Sequence, residues 1–130
     1  MSVLKRLLQT IDQASGSVLK SPQTIGAVLR VTAINGGEKR HLDDYYLSLG
    51  DVKRISTNFR NKAYKQETKI IQALKSLKLL VMIGGFFYQK VHIEVLTKSA
   101  NGTLYQTGHS LTLTIQEIQT GLKEIEKLGI

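Results

Sequence analysis

Residues 79–118 read LLVMIGGFFYQKVHIEVLTKSANGTLYQTGHSLTLTIQEI, and their patterning decides the fold. An apolar run, 79–83, meets the break Gly84-Gly85, and two alternating segments follow, joined across Ala100-Asn101-Gly102. In the first, Val91, Ile93 and Val95 share one parity while Lys90, His92 and Glu94 take the other. In the second, Leu111, Leu113 and Ile115 alternate with Thr112, Thr114 and Gln116. A side-chain period of two sends one set inward and the other to solvent, and Asn-Gly tolerates the positive φ of a tight hairpin turn. The stretch predicts a buried strand, a glycine turn and a long hairpin. The aromatic run Phe86-Phe87-Tyr88 is expected to open the first hairpin strand and to fill the core.

Outward from this hairpin, Ile118, Leu122 and Ile125 recur at helical spacing, with Lys123 and Lys127 one turn apart, so residues 121–128 are expected to form a short helix. Upstream, Ile70, Ile71, Leu74 and Leu77 predict a helix over about 66–77. Before it, Ile55, Thr57 and Phe59 alternate with Arg54, Ser56 and Asn58, which predicts a strand over 52–59. Residues 25–34 and the second half of 38–49 give two further strands around Asn35-Gly36-Gly37, a strong turn signal. Val3, Leu4, Leu7, Leu8 and Ile11 form the stripe of an amphipathic helix of about three turns, with Ser2 as N-cap. Its stripe, Val3, Leu7 and Ile11, packs on the protein's own core or docks on a neighbouring subunit. Residues 14–23, with Ser15, Gly16, Ser17 and Ser21-Pro22, read as a loop.

The predicted architecture is mainly β with added helices (α+β). It is a β-sandwich or small barrel flanked by a helix, with an N-terminal amphipathic helix. One domain is expected over 1–130: a helix at 1–13, a loop at 14–23, a core at 24–118 and a C-terminal extension at 119–130. No repeat at a fixed period is apparent. A chain of 130 residues that is 42% hydrophobic suits a single modest core. The N-terminus lacks the continuous apolar stretch of a secretory signal, and no apolar run reaches the roughly 20 residues of a spanning helix. A soluble protein without membrane insertion is expected.

The absence of cysteine removes disulfides, thiolate catalysis and cysteine-based zinc sites. His41 and Asp43 would share a strand face, but two ligands do not close a zinc site. The carboxylates and Ser110 sit in no catalytic pattern, and Gly84-Gly85 leads into aromatics rather than into a phosphate-binding helix. The expectation is a non-enzymatic protein without metal or cofactor. The formal charge of +8 directs attention to anionic partners. Lys53, Arg54, Arg60, Lys62, Lys65, Lys69, Lys75 and Lys78 are opposed locally only by Glu67, with Phe59 and Tyr64 interleaved. This pattern reads as a solvated helix face, as a contact for an anionic protein, or as a nucleic-acid groove with stacking aromatics.

The hairpin, with VMI before it, FFYQKVHIEVLTK, the Asn-Gly turn and LTLTIQEIQ, resembles the tail-tube-like family of phage tail-tube, distal-tail and tube-initiator (baseplate) proteins, including bacteriocins derived from contractile tails. VLRVTAING and DVKRISTNFRNKAY are similar in kind to its earlier strands. The resemblance implies a tail-tube-like sandwich in a virion structural protein, assembled in the bacterial host cytoplasm. Its subunits multimerise into a ring at the tube–baseplate junction, their strands form a continuous inner barrel, and neighbouring tail or baseplate proteins are the partners. The additional N-terminal helix points to a baseplate or initiator role. Val3, Leu7, Ile11, Arg54, Arg60, Lys62, Lys65 and Lys69 are the candidate interface residues. The alternative is a small basic nucleic-acid-binding β-barrel.

Overall fold

A computed structural model describes residues 2–84 and 89–127. The first helix, α1 (Val3–Lys20), starts where Ser2 Oγ accepts the Lys5 N–H at 3.2 Å. It continues well past the three turns expected, through the segment read as a loop. Ala14 and Val18 extend the same buried stripe as Leu7, Leu8 and Ile11, Ser15 bonds back to the Asp12 carbonyl at 2.6 Å, and Gly16 lies on the solvent side. The stripe outweighs the low helix propensity of glycine and serine because burying each large aliphatic side chain contributes about 1.5–3 kcal/mol. Ser21, before Pro22, then takes the extended conformation that ends the helix.

Strands β1 (Thr24–Asn35) and β2 (Glu38–Ser48) form the expected hairpin, turning through Gly36 at φ +60°. The next element corrects the sequence reading. Residues 52–59 are not a strand but belong to α2 (Leu49–Arg60). Ser48 accepts the Asp51 N–H while Asp51 accepts the Ser48 N–H, a reciprocal cap that nucleates the helix. Val52, Ile55, Ser56 and the half-buried Phe59 fall on one helical face, and Ile55 and Phe59 also fit a period of two. A 3-10 turn (Tyr64–Gln66) leads into α3 (Thr68–Gly84). The run 79–83, expected as a strand, is the last part of this helix, because nothing between Leu77 and Gly84 breaks it and a short apolar run carries no period of its own. The aromatic run at 86–88 lies outside the described residues.

Strands β3 (Lys90–Ser99) and β4 (Leu104–Thr114) form the second hairpin, with Gly102 at φ +87° and Asn101 Oδ1 accepting the Thr103 N–H at 3.0 Å. Helix α4 (Ile115–Lys127) begins six residues earlier than expected, at the residue read as the end of the strand. Thr114 and Glu117 repeat the reciprocal cap of Ser48 and Asp51, each backbone N–H bonding the other's side chain at 3.1 Å.

The four strands make one antiparallel sheet in the order β2-β1-β3-β4. The molecule is therefore a small mixed α+β domain with an N-terminal helix and a four-stranded antiparallel sheet. Ala27, Leu29 and Val31 on β1, Leu47 on β2, Val91, Ile93 and Val95 on β3, and Leu111 and Leu113 on β4 point to the helices and form the core. Helix α1 packs against β1, β3, β4, α2 and α4, so it is the central element of the helical layer. The other sheet face carries Arg30, Thr32, Asp44, Tyr46, His92, Glu94, Ser110 and Thr112, and no helix covers it among the described residues.

The chain is also an internal repeat, helix–strand–strand–helix twice, which the sequence reading missed. Leu47 matches Leu113, Ser48 matches Thr114, Asp51 matches Glu117 and Val52 matches Ile118. Leu29 matches Ile93, and Leu7, Leu8 and Ile11 match Ile70, Ile71 and Leu74. The two halves meet along β1–β3, with Arg30 paired to Glu94 at the pseudo-two-fold axis. Both edge strands are bulged at matching places, β2 at Leu42 and β4 at 107–109 with Gly108 at φ +78°. The likeness is confined to core and capping positions, so no run of identical residues marks it.

Candidate interaction surfaces

The helical layer fixes most of the residues singled out as interface candidates. Val3 is 7% exposed and Leu7 and Ile11 are 1% exposed, so the stripe of α1 lies in the protein's own core and is not left free as a docking arm. Arg54 and Lys69 belong to an ionic network instead of projecting freely. Asp51 accepts from Lys69 Nζ at 2.5 Å and from Arg54 Nη1 at 2.8 Å. The same guanidinium bonds Glu67 through Nε at 3.2 Å and Nη2 at 3.4 Å, and Asn58 Nδ2 reaches Glu67 at 2.5 Å. Glu67 is fully buried, and these donors are what make its burial tolerable. Arg60 Nε bonds Asp12 at 3.2 Å, and Ser56 donates to the same carboxylate, which ties α2 to α1.

Burial pushes the Asp51 carboxyl upward, but hydrogen bonds from Lys69, the Ser48 backbone and Arg54 outweigh it and hold the group well below the ordinary carboxylate range. The hydrogen bonds that Arg54 donates to Asp51 and Glu67 in turn raise the pKa of its guanidinium. Arg54, Arg60, Lys69 and Lys78 of the basic segment thus each meet a carboxylate, Asp51 and Glu67 being local and Asp12 and Glu126 supplied by α1 and α4. Phe59 and Tyr64, read as stacking aromatics, pack on each other with centroids 6.1 Å apart, and Lys5 Nζ lies 5.7 Å from the Tyr64 centroid. Of the remaining candidates, Lys62 is exposed and adopts φ +57°, a left-handed conformation that costs a non-glycine residue energy. The side chain of Lys65 lies outside those described.

On the open sheet face, Arg30 grips Asp44 with two hydrogen bonds of 3.1 Å, and His41 Nε2 lies 2.9 Å from the same carboxylate. The Arg30 hydrogen bond, opposed by partial burial and assisted by His41, lowers the Asp44 pKa. The bulge at Leu42 places His41 and Asp43 on opposite faces, which undoes the shared face expected of them. His92 Nδ1 contacts the Thr112 hydroxyl at 2.8 Å. No group of three potential metal ligands occurs among the described residues. Tyr46 lies over Gly26, its hydroxyl donating to the Ile25 carbonyl at 3.1 Å, with Lys98 Nζ 5.3 Å from its centroid.

Two features escaped sequence reasoning. One is a cavity of about 450 Å³ walled by Leu4, Ala63, Tyr64 and Ile125, with Lys62 and Glu124 at its more exposed border. It is built where the first turn of α1, the connection after α2 and the end of α4 meet, so its residues are scattered along the chain. The other is a set of exposed large hydrophobic side chains, Leu19, Ile25, Tyr46 and Tyr105. No family model, curated protein or solved structure matches this chain.

Proposed function

We propose that the protein is a non-catalytic structural subunit of the tail-tube and baseplate type, assembling into a ring at the tube–baseplate junction of a phage or phage-like particle. The observation that carries this reading is the sheet. One face is open, and β2 and β4 are edge strands that pair with no further strand among the described residues. A closed sandwich or barrel then forms between copies, by joining sheets edge to edge, and not within a single chain. The bulges at Leu42 and 107–109 confine lateral pairing to the straight runs 43–48 and 110–114. The ionic network of α2 and α3 supports the reading in a second way, since it holds the helical layer as a rigid backing for the sheet.

Size-exclusion chromatography with light scattering, combined with negative-stain imaging, tests the proposal. A discrete ring, and recovery of the protein in purified tail particles, are expected. A chain that stays monomeric at high concentration and is absent from such particles overturns it. Single-stranded nucleic-acid binding that weakens linearly with the logarithm of salt concentration would favour the basic-barrel alternative instead.

A further inference from the structure

The cavity is graded from floor to mouth. Leu4 and Ile125 at its floor are 5% and 2% exposed, and Ala63 and Tyr64 are half-buried in its wall. Lys62 and Gln66, both exposed, stand at the mouth with the half-buried Glu124. The frame is held by α1, whose first turn sits on α4 through Val3 against Gly121 and through the ion pair of Arg6 with Glu117. The cavity volume of about 450 Å³ falls in the range of small-molecule sites, and apolar walls with a few polar groups at one end are what such sites present.

Charge at the mouth selects an anion. Lys5 Nζ lies 5.7 Å from the Tyr64 centroid, beside the wall that Lys62 borders, and α1 brings the positive end of its dipole there with no acidic residue in its first turn. Against these stands Glu124, the one carboxylate among the described residues that line the cavity. Lys62 is also held where glycine would be less strained. Its N–H donates to the Phe59 carbonyl at 3.2 Å and the Ala63 N–H donates to the Asn58 carbonyl at 2.8 Å, the helix ending whose left-handed position glycine usually takes. Lys62 occupies that position at φ +57°. Strained residues of this kind cluster at binding sites.

We propose that the cavity binds a medium-chain aliphatic carboxylate, with its chain against Leu4, Tyr64 and Ile125 and its carboxylate at the mouth, within reach of Lys62 and Lys5. The apolar floor rewards a hydrocarbon chain, because each methylene it covers leaves water. A guest without a charged head would leave both lysines with nothing to pair, and a cationic head would meet two like charges against the single carboxylate of Glu124. Copies can assemble with or without such a guest, so its failure leaves the assembly reading standing, and the reverse also holds.

Isothermal titration calorimetry of the full chain with hexanoate, octanoate and decanoate, each below its micelle concentration, tests this. One molecule per chain is expected, with each added pair of methylenes tightening binding about 15-fold, the transfer value of two buried CH₂ groups. Decyltrimethylammonium should not compete. Ala63→Trp, which fills a half-buried wall, is expected to abolish binding, with circular dichroism and urea unfolding checking that it folds. Two variants act at the mouth and leave the wall intact. Lys62→Gly should weaken decanoate about 2–5-fold while holding or raising Tm, and Glu124→Gln should tighten it by a similar factor. If Lys62 serves only the end of α2, its substitution lowers Tm and leaves binding unchanged, which overturns the assignment of the carboxylate to the mouth. Heats that do not saturate at one molecule per chain, affinity that ignores chain length, competition by decyltrimethylammonium, or binding that survives in a folded Ala63→Trp overturn the proposal. Should Ala63→Trp fail to fold, the chain-length series and the two mouth variants decide.

Discussion

The same substitution at two helical glycines is expected to act with opposite sign. Gly16 lies on the solvent side of α1, and a Cβ placed there meets nothing within 4 Å. Gly16→Ala removes backbone freedom from the unfolded chain and should stabilise by about 0.8–1 kcal/mol, or roughly 3–4 °C in Tm for a domain of this size. Gly121 is buried in α4, where a Cβ would stand 2.7 Å from Val3 Cβ and 2.8 Å from its Cγ2. Carbon pairs prefer roughly 3.5–4.0 Å, and a Cβ cannot rotate away, so α1 and α4 must separate by about 1 Å. Overpacking of this kind costs about 1–3 kcal/mol, against a helix-propensity gain of about 1, leaving Gly121→Ala destabilised by roughly 1 kcal/mol net. Urea unfolding followed by ellipticity at 222 nm, with equal slopes for all variants, measures both. Adding Val3→Gly should relieve the clash and yield a coupling energy above about 0.5 kcal/mol with Gly121→Ala. If Gly121→Ala stabilises as much as Gly16→Ala, α4 is not seated on Val3 as described and the placement of the cavity wall fails with it.

Three further outcomes follow from the caps and ion pairs. Ser48→Ala is expected to cost about 1 kcal/mol in urea unfolding by removing the acceptor of the Asp51 N–H, whereas Ser17→Ala on the exposed side of α1 should change stability by less than about 0.5. Glu67→Ala removes the buried acceptor of Asn58 and of Arg54, which is half exposed and keeps Asp51, and should cost about 1–3 kcal/mol, with Glu67→Gln losing less because its amide oxygen still accepts. The folded pKa values of Asp51 and Asp44 lie below the ordinary aspartate value of 3.8, so their contribution is present above that pH and is lost as pH falls toward the folded values. Tm measured between about pH 2 and 6 should therefore drop on the acid side, and Asp51→Asn should flatten that limb.

Both hairpins were legible in the sequence because strict alternation and Asn-Gly turns are local signals. The helices were legible only where one period stood alone. In 52–59, Ile55 and Phe59 satisfy both the strand and the helix template, and what decides for the helix is the Ser48–Asp51 box just outside the segment. The same reciprocal box at Thr114 and Glu117 was present in LTLTIQEI and would have moved the start of α4 to its observed place. In 14–20, glycine and serine masked a stripe that Ala14 and Val18 continue. The ionic network and the cavity were not legible, since Glu67 meets Arg54 and Asn58 only after the 3-10 turn folds back, and Leu4, Tyr64 and Ile125 are joined by tertiary packing alone.

The repeat has a consequence for how the chain reaches its fold. Each hairpin closes over a handful of residues, whereas the β1–β3 ladder that unites the halves joins Leu29 to Val95 and must await closure of a long loop. Helix α1 belongs to the first half yet packs on β3 and β4 of the second, so the second hairpin is covered in part by a helix of the first half. The rate-limiting event is expected to be the meeting of two preformed hairpins at Arg30 and Glu94, and folding speed should respond to substitutions on β1 and β3 more than to those on the edge strands.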